Sequence, residues 1–314
     1  MITTPNVKIN LGLNILRKRE DGFHDLETLF VPYFGLHDTL EIILGDDYSR
    51  TSAALFAKYG DDMPSKQGSI KPEGVFGVET EEGTAPKIVQ GISEDGKLMI
   101  TIARAEGVDW DPLKDLCAKA YRLLAEDFDL PSVKIFLEKT SPVGAGLGGG
   151  SADAAFALKM LSELCSLGLT EGQLAGYASR LGSDCAFFIY NRPMIGEGRG
   201  EILTDVVAEL PHLLTMFDNA VAPYDLQVIV PAGIAVSTAE AYGGISPALP
   251  DVPLREVLSK PVDEWNGLLV NDFETTVFAK HPELAAIKRS LYDSGAVYAS
   301  MSGSGSALFA IYRK

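Results

Sequence analysis

From Val7 to Leu16 the chain reads V-K-I-N-L-G-L-N-I-L, with apolar residues at 7, 9, 11, 13 and 15 alternating with polar or small ones. A period of two predicts a half-buried β-strand, and it puts Lys8 and Asn10 together on the opposite face. Thr39–Leu44 and Leu98–Arg104 predict two further strands. The stretch from about Asp46 to Lys97 is polar, acidic and broken by Gly and Pro; it holds Asp61-Asp62, Glu79, Glu81-Glu82 and Glu94-Asp95 beside the apolar Ala53 to Phe56. Charge clusters in loops usually just solvate, so this stretch is expected to be an insertion outside the chemistry.

Farther on, Leu113 to Phe128 has helical spacing and Val133 to Leu137 reads as a strand. After a glycine-rich loop, a helix from Ser151 to about Leu164 places Ala154, Leu158, Leu161 and Cys165 on one stripe. Thr170–Leu181 predicts another helix with Thr170 as its N-cap. Gly196-Glu-Gly-Arg-Gly200 predicts a flexible turn, and Leu226–Val230 and Ala307–Tyr312 predict strands in a later block. A domain boundary is expected near residue 206. No internal repeat or heptad pattern is present.

Composition narrows the function classes. Among 314 residues, 46% are hydrophobic and 22% charged, as in globular proteins. The 27 basic against 43 acidic residues give a net charge of −16, which makes nucleic acid and anionic membrane poor partners. No apolar run approaches the roughly 20 residues of a membrane helix, and Met1-Ile-Thr-Thr-Pro lacks the basic start of a secretion signal, so a cytoplasmic protein is expected. Cys117, Cys165 and Cys185 have no C-x-x-C spacing, and no two of the four histidines have metal-ligand spacing.

The most informative stretch is Pro142-Val-Gly144-Ala-Gly146-Leu147-Gly148-Gly149-Gly150-Ser151-Ala-Asp153-Ala-Ala. Glycines let backbone N–H groups approach an oxyanion, and the helix that follows presents its positive end, so the segment is a candidate phosphate cradle. It lacks the acidic residue of a dinucleotide fold, the lysine of a Walker loop, and the H-R-D and D-F-G tripeptides of protein kinases.

This stretch resembles the phosphate loop of the GHMP kinases (galactokinase, homoserine, mevalonate and phosphomevalonate kinases). Two other blocks agree: Lys8-Ile-Asn10-Leu-Gly-Leu with Glu20-Asp-Gly22-Phe23-His24-Asp-Leu-Glu-Thr28 near the start, and Met301-Ser-Gly303-Ser-Gly305-Ser near the end. The opening block resembles the branch whose acceptor carries a cytidine diphosphate. The resemblance spans most of the chain apart from about 46–97. It implies an α+β fold, with an N-terminal ATP-binding domain over 1–206 packed on a ferredoxin-like C-terminal domain over 207–314. It implies an ATP-dependent kinase acting on the 2-hydroxyl of a diphosphocytidyl methylerythritol, in the non-mevalonate route to isoprenoid precursors.

The resemblance also implies roles. Asp184, in Leu181-Gly182-Ser-Asp184, corresponds to the catalytic base and Lys8 to the lysine paired with it. Pro142, Gly144, Gly146, Leu147, Gly148, Gly149, Gly150 and Ser151 would bind the ATP phosphates. Ser151 would also lie near Mg2+, which needs few protein ligands because it keeps waters and phosphate oxygens. Phe23 and His24 would take the cytosine by stacking and hydrogen bonding, Thr238 and Tyr242 would lie across from them, Asn10 would meet the erythritol or its phosphates, and Gly303 and Gly305 would line the acceptor. Asp153 is expected to act as helix-end electrostatics. Three positions depart from the family pattern: Phe23 replaces a common tyrosine, Asp115 an asparagine, and Ser306 a proline. A homoserine or mevalonate type of kinase, or a silent nucleotide or sugar binder, are the rival readings.

Overall fold

The computed structural model describes residues 1–45, 50–59, 75–76, 85–216 and 223–314. Asp61-Asp62, Glu79 and Glu81-Glu82 of the acidic stretch lie outside the described residues. The chain divides into two compact units, one of Met1–Val7, Phe34–Ser141 and Gly149–Tyr190, the other of Lys8–Tyr33, Pro142–Gly148 and Asn191–Lys314.

The first unit holds a six-stranded sheet. Its strands are β1 (Ile2–Thr3), β4 (Thr39–Leu44), β5 (Val75–Phe76), β6 (Ile88–Ile92), β7 (Leu98–Arg104) and β8 (Val133–Lys139), in the order β1-β4-β8-β7-β6-β5. Every pair is antiparallel except β7 and β8, whose parallel pairing requires a crossover. That crossover carries helix α2 (Leu116–Ala125). The acidic stretch is therefore more than a solvated elaboration, since Ile88–Ile92 pairs residue for residue with β7. Helix α1 (Arg50–Tyr59) sends Leu55 and Tyr59 onto Ile43, Ile88, Ala103 and Phe136. Burying that apolar face is what makes an otherwise polar stretch fold. Glu94-Asp95 does lie in a turn, where the Asp95 carboxylate accepts from Ser93 Oγ and from Lys97 N.

Helices α3 (Gly149–Leu164) and α4 (Glu171–Leu181) pack with α2, α5 (Cys185–Tyr190) packs with α3 and α4, and α3 lies against β4. Thr170 caps α4 in a reciprocal box with Gln173, as expected. The predicted helix over 113–128 splits: Pro112–Lys114 is a 3-10 turn, and α2 starts anew after Asp115, whose carboxylate accepts from Cys117 N.

The second unit holds two antiparallel sheets. In the first, β2 (Asn6–Lys18), β3 (His24–His37), β9 (Met194–Gly198) and β10 (Ile202–Asp205) follow the order β10-β9-β3-β2. Two expectations are corrected here. Gly196 lies in strand β9, opposite Thr28, because a Cβ there would strike the Phe30 ring. Strand β2 is buried on both faces from Lys8 to Ile15, because its polar residues find partners. The second sheet contains β11 (Tyr224–Ile229), β12 (Tyr298–Met301) and β13 (Leu308–Arg313), ordered β11-β13-β12. Helices α7 (Thr238–Tyr242), α9 (Phe273–Lys280) and α10 (Pro282–Asp293) share its core through Ala241, Val277, Leu284, Met301 and Leu308. Short helices α6 (His212–Thr215) and α8 (Leu254–Leu258) meet where His212 Nε2 bonds the Leu258 carbonyl.

Candidate active site

Within the second unit, three segments far apart in sequence converge on one backbone carbonyl. Lys8, only 3% exposed, donates from Nζ to Gly146 O at 3.0 Å and to Asn10 Oδ1 at 2.5 Å. Ser302 Oγ donates to the same Gly146 O at 3.2 Å, and Asn10 N donates to Ser302 Oγ at 3.3 Å. Main-chain bonds reinforce the assembly, from Lys8 N to Leu147 O and from Ala307 N to Ala145 O. Gly146 is required twice over: its φ is +77°, and a Cβ would strike the Ser302 carbonyl oxygen. Gly144, with φ +71°, has nothing within 4 Å of where its Cβ would stand. An anion can approach that part of the segment without meeting a side chain. The third glycine motif closes on the same place, since Gly303 lies against Gly146 O and Asn10 Oδ1, while Gly305 lies against Met301.

In the first unit, Gly149, Gly150 and Ser151 open α3. Gly149 lies so close to Ser141 Oγ that no side chain fits, and Gly150 is exposed. The Ser151 hydroxyl hydrogen-bonds with Cys185 at the start of α5; burial pushes that thiol up to about 11, and the hydroxyl offsets part of the rise. Asp184 is half-buried in the turn just before Cys185, which places it one residue from a partner of Ser151. Asp153 does more than the expected helix-end electrostatics: it is 1% exposed and ion-paired with Lys139.

The aromatic residues meet differently from the expectation. His24 stacks directly on Tyr242, with centroids 4.8 Å apart and 19° between planes, and Tyr242 meets Phe273 edge-on. Phe23 is 54% exposed, with the Arg199 guanidinium 5.0 Å from its ring centre. Thr238, exposed, is the first residue of α7, which Ser237 caps by accepting from Glu240 N.

The sequence matches the family described as GHMP kinases N terminal domain over residues 115–192, and that described as GHMP kinases C terminal over 256–314. It is 41% identical to a 4-diphosphocytidyl-2-C-methyl-D-erythritol kinase of Bacteroides fragilis, across 99% of this chain and 92% of that protein. The chain belongs to the 4-diphosphocytidyl-2-C-methyl-D-erythritol kinase family of GHMP kinases. A solved structure of 4-(cytidine 5'-diphospho)-2C-methyl-D-erythritol kinase is 26% identical with a TM-score of 0.65, covering 99% of this chain and 89% of that one. The mevalonate kinase of Methanococcus jannaschii shares the fold at a TM-score of 0.57 and 12% identity, over 100% of this chain and 90% of that one.

Membership makes the protein a phosphotransferase, of a family that takes ATP as phosphate donor. It also gives meaning to two of the departures. Asp115, where relatives often carry asparagine, is occupied as the α2 cap and accepts from Trp110 Nε1 at 3.2 Å. The Ser306 hydroxyl donates to Ile234 O at 2.7 Å, a bond proline could not make. The sequence reading missed Thr28 and Ser302. Thr28 accepts from Asn10 Nδ2 at 3.1 Å and donates to the Gly12 carbonyl, while Ser302 holds Gly146. Both stand inside motifs quoted from the sequence, but a hydroxyl among glycines carries no signal of which carbonyl it will find.

Proposed function

We propose that this enzyme transfers the γ-phosphoryl group of ATP to the 2-hydroxyl of 4-diphosphocytidyl-2-C-methyl-D-erythritol, in the cytoplasm, for isoprenoid precursor synthesis by the non-mevalonate route. The observation that carries this reading is the buried Lys8, fixed by Asn10 and by the carbonyl of Gly146 in a glycine segment whose Gly144 faces open space.

Phosphoryl transfer needs the phosphates held, the developing charge stabilised and the attacking hydroxyl oriented. The backbone from Gly144 to Gly150 holds the phosphates, with Pro142 and Leu147 shaping the segment, and the N-terminal end of α3 favours their charge. Lys8 stabilises charge on the transferring group. Asp184 accepts the proton of the acceptor hydroxyl, and a carboxylate suits that task once the hydroxyl is activated by attack. Ser151 would hold Mg2+ together with phosphate oxygens; the ion would supply neutralisation of the triphosphate. Phe23, His24, Thr238 and Tyr242 receive the cytidine end, Asn10 the erythritol, and Gly303 and Gly305 leave room for it. No helix among the described residues is long and apolar enough to cross a membrane.

ADP release tests this reading, with the cytidine acceptor, homoserine and mevalonate offered in parallel. Turnover with the cytidine compound alone is expected. Turnover with another acceptor keeps the family but removes the base-recognition roles, and ADP from none of the three would leave a nucleotide or sugar binder.

A further inference from the structure

A second buried lysine lies at the foot of the glycine segment, in the first unit. Lys139 ends β8 at 5% exposure, and Nζ donates to Asp38 Oδ2 and, at 2.6 Å, to Asp153 Oδ2, with both carboxylates 1% exposed. The Asp38 carboxylate also accepts from Thr140 N at 2.7 Å, from Ser141 N at 2.7 Å and from Ser141 Oγ at 2.6 Å. Ser141 Oγ in turn fills the space that a side chain at Gly149 would need. Residues 139–141 lead into the glycine segment and residues 149–153 lead out of it. The network therefore joins its two stems, one at the end of β8 and one in the opening turns of α3.

The two attachments differ in redundancy. The strand side is held by four bonds to Asp38, whereas the helix side reaches the network through the single carboxylate oxygen of Asp153. The other oxygen, Asp153 Oδ1, is buried without a hydrogen-bond partner. A buried polar atom left unsatisfied is costly, and a carboxyl is retained in such a place only where its one bond matters. A solvated or purely packing role would be met better by an apolar side chain of similar size.

We propose that Lys139, Asp38 and Asp153 are positioning residues for the nucleotide: through the Lys139–Asp153 bond they fix the start of α3 relative to the end of β8, and so set where the N–H groups of Gly149, Gly150 and Ser151 point. The inference rests on the ATP reading above. Its consequence is selective, because it concerns the donor side and leaves the acceptor residues of the second unit untouched. Misplacing oriented donors by about 1 Å costs on the order of 10- to 100-fold in productive binding or rate.

Asp153→Leu cuts the helix-side attachment and leaves the Lys139–Asp38 pair intact, so no charge is stranded. Asp153→Asn keeps an oxygen for Lys139 and serves as the conservative rescue. Binding of ADP with Mg2+ is read by calorimetry on the full chain, together with KM for ATP, KM for the cytidine acceptor and thermal melting. Asp153→Leu is expected to weaken ADP binding and raise KM for ATP about tenfold, leave KM for the acceptor within twofold, and be restored by Asp153→Asn. Equal ADP affinity in wild type and a folded Asp153→Leu, or equal losses for ATP and acceptor, overturns the proposal. If Asp153→Leu does not fold, Ser141→Ala, which frees Gly149 from its neighbour, is expected to shift the same two nucleotide parameters in the same direction; unchanged values in it overturn the proposal. Absence of ADP binding by the wild type would instead overturn the ATP reading on which it rests.

Discussion

Lys8 and Lys139 are both withdrawn from water and stand in different networks. Lys139 sits between two buried carboxylates, and its ammonium is spent on them. Lys8 donates to the Asn10 side-chain oxygen and to the carbonyl of Gly146, inside the glycine segment. The contrast teaches how one residue type divides between architecture and chemistry. A lysine tied to two buried carboxylates joins two chain segments, whereas one fixed against a glycine segment keeps its ammonium at the backbone that a phosphate would meet.

The comparison can be broken by substitution, beginning with the side that carries chemistry. Lys8→Met and Asp184→Asn are each expected to cut kcat by about 10²–10⁴-fold while the melting temperature and cytidine-ligand affinity stay near wild type. Unaltered turnover in either removes that residue from the mechanism. Lys139→Met should appear first in stability, because it strands two buried acids, and in the folded protein as a raised KM for ATP rather than a lowered kcat. A loss of about 3–5 kcal/mol is expected from urea unfolding. Were Lys139→Met stable and inactive, and Lys8→Met unstable, the division of labour would be inverted.

Smaller effects sharpen the picture. His24→Ala removes the ring stacked on Tyr242 and should weaken binding of the cytidine acceptor about tenfold, at roughly 1.4 kcal/mol, with KM for ATP unmoved. Identical acceptor affinity in calorimetry would place the base elsewhere. Last is a pH effect at Cys185, whose folded value is raised to about 11 by burial above an ordinary value near 9. A raised value contributes stability that is full below the unfolded value and lost as pH climbs through the folded one. Stability to urea should therefore fall between pH 9 and 11 by an increment of about 3 kcal/mol at most, and Cys185→Ala should lack that increment. Parallel profiles for the two proteins would show that the thiol does not titrate in this way.

Legibility in the sequence followed the range of the interactions. Thr39–Leu44 and Leu98–Arg104 were readable to the residue, and α4 announced itself through Thr170, because strand alternation and caps are local signals. Strand β3 was not recognised beyond its opening motif, since His24–His37 mixes a proline, a glycine and several aromatics without alternation. Gly196 looked like a turn because a glycine that makes room for an aromatic ring is indistinguishable, in one dimension, from one that bends a chain. Motif resemblance drew attention to Lys8, Asn10, the glycine segment and Asp184. Lys139 carried no such flag, because the carboxylate that distinguishes it from a solvated lysine lies 101 residues away.

The Gly146 carbonyl joins Lys8, 138 residues upstream, to Ser302, 156 residues downstream. A ribosome makes Ser302 long after Lys8, so the pocket beneath the glycine segment stays open while the residues between them are being made. Loop closure over such spans is slow and comes late. A nascent chain halted before residue 302 holds its lysine early and lacks the serine that closes over the same carbonyl.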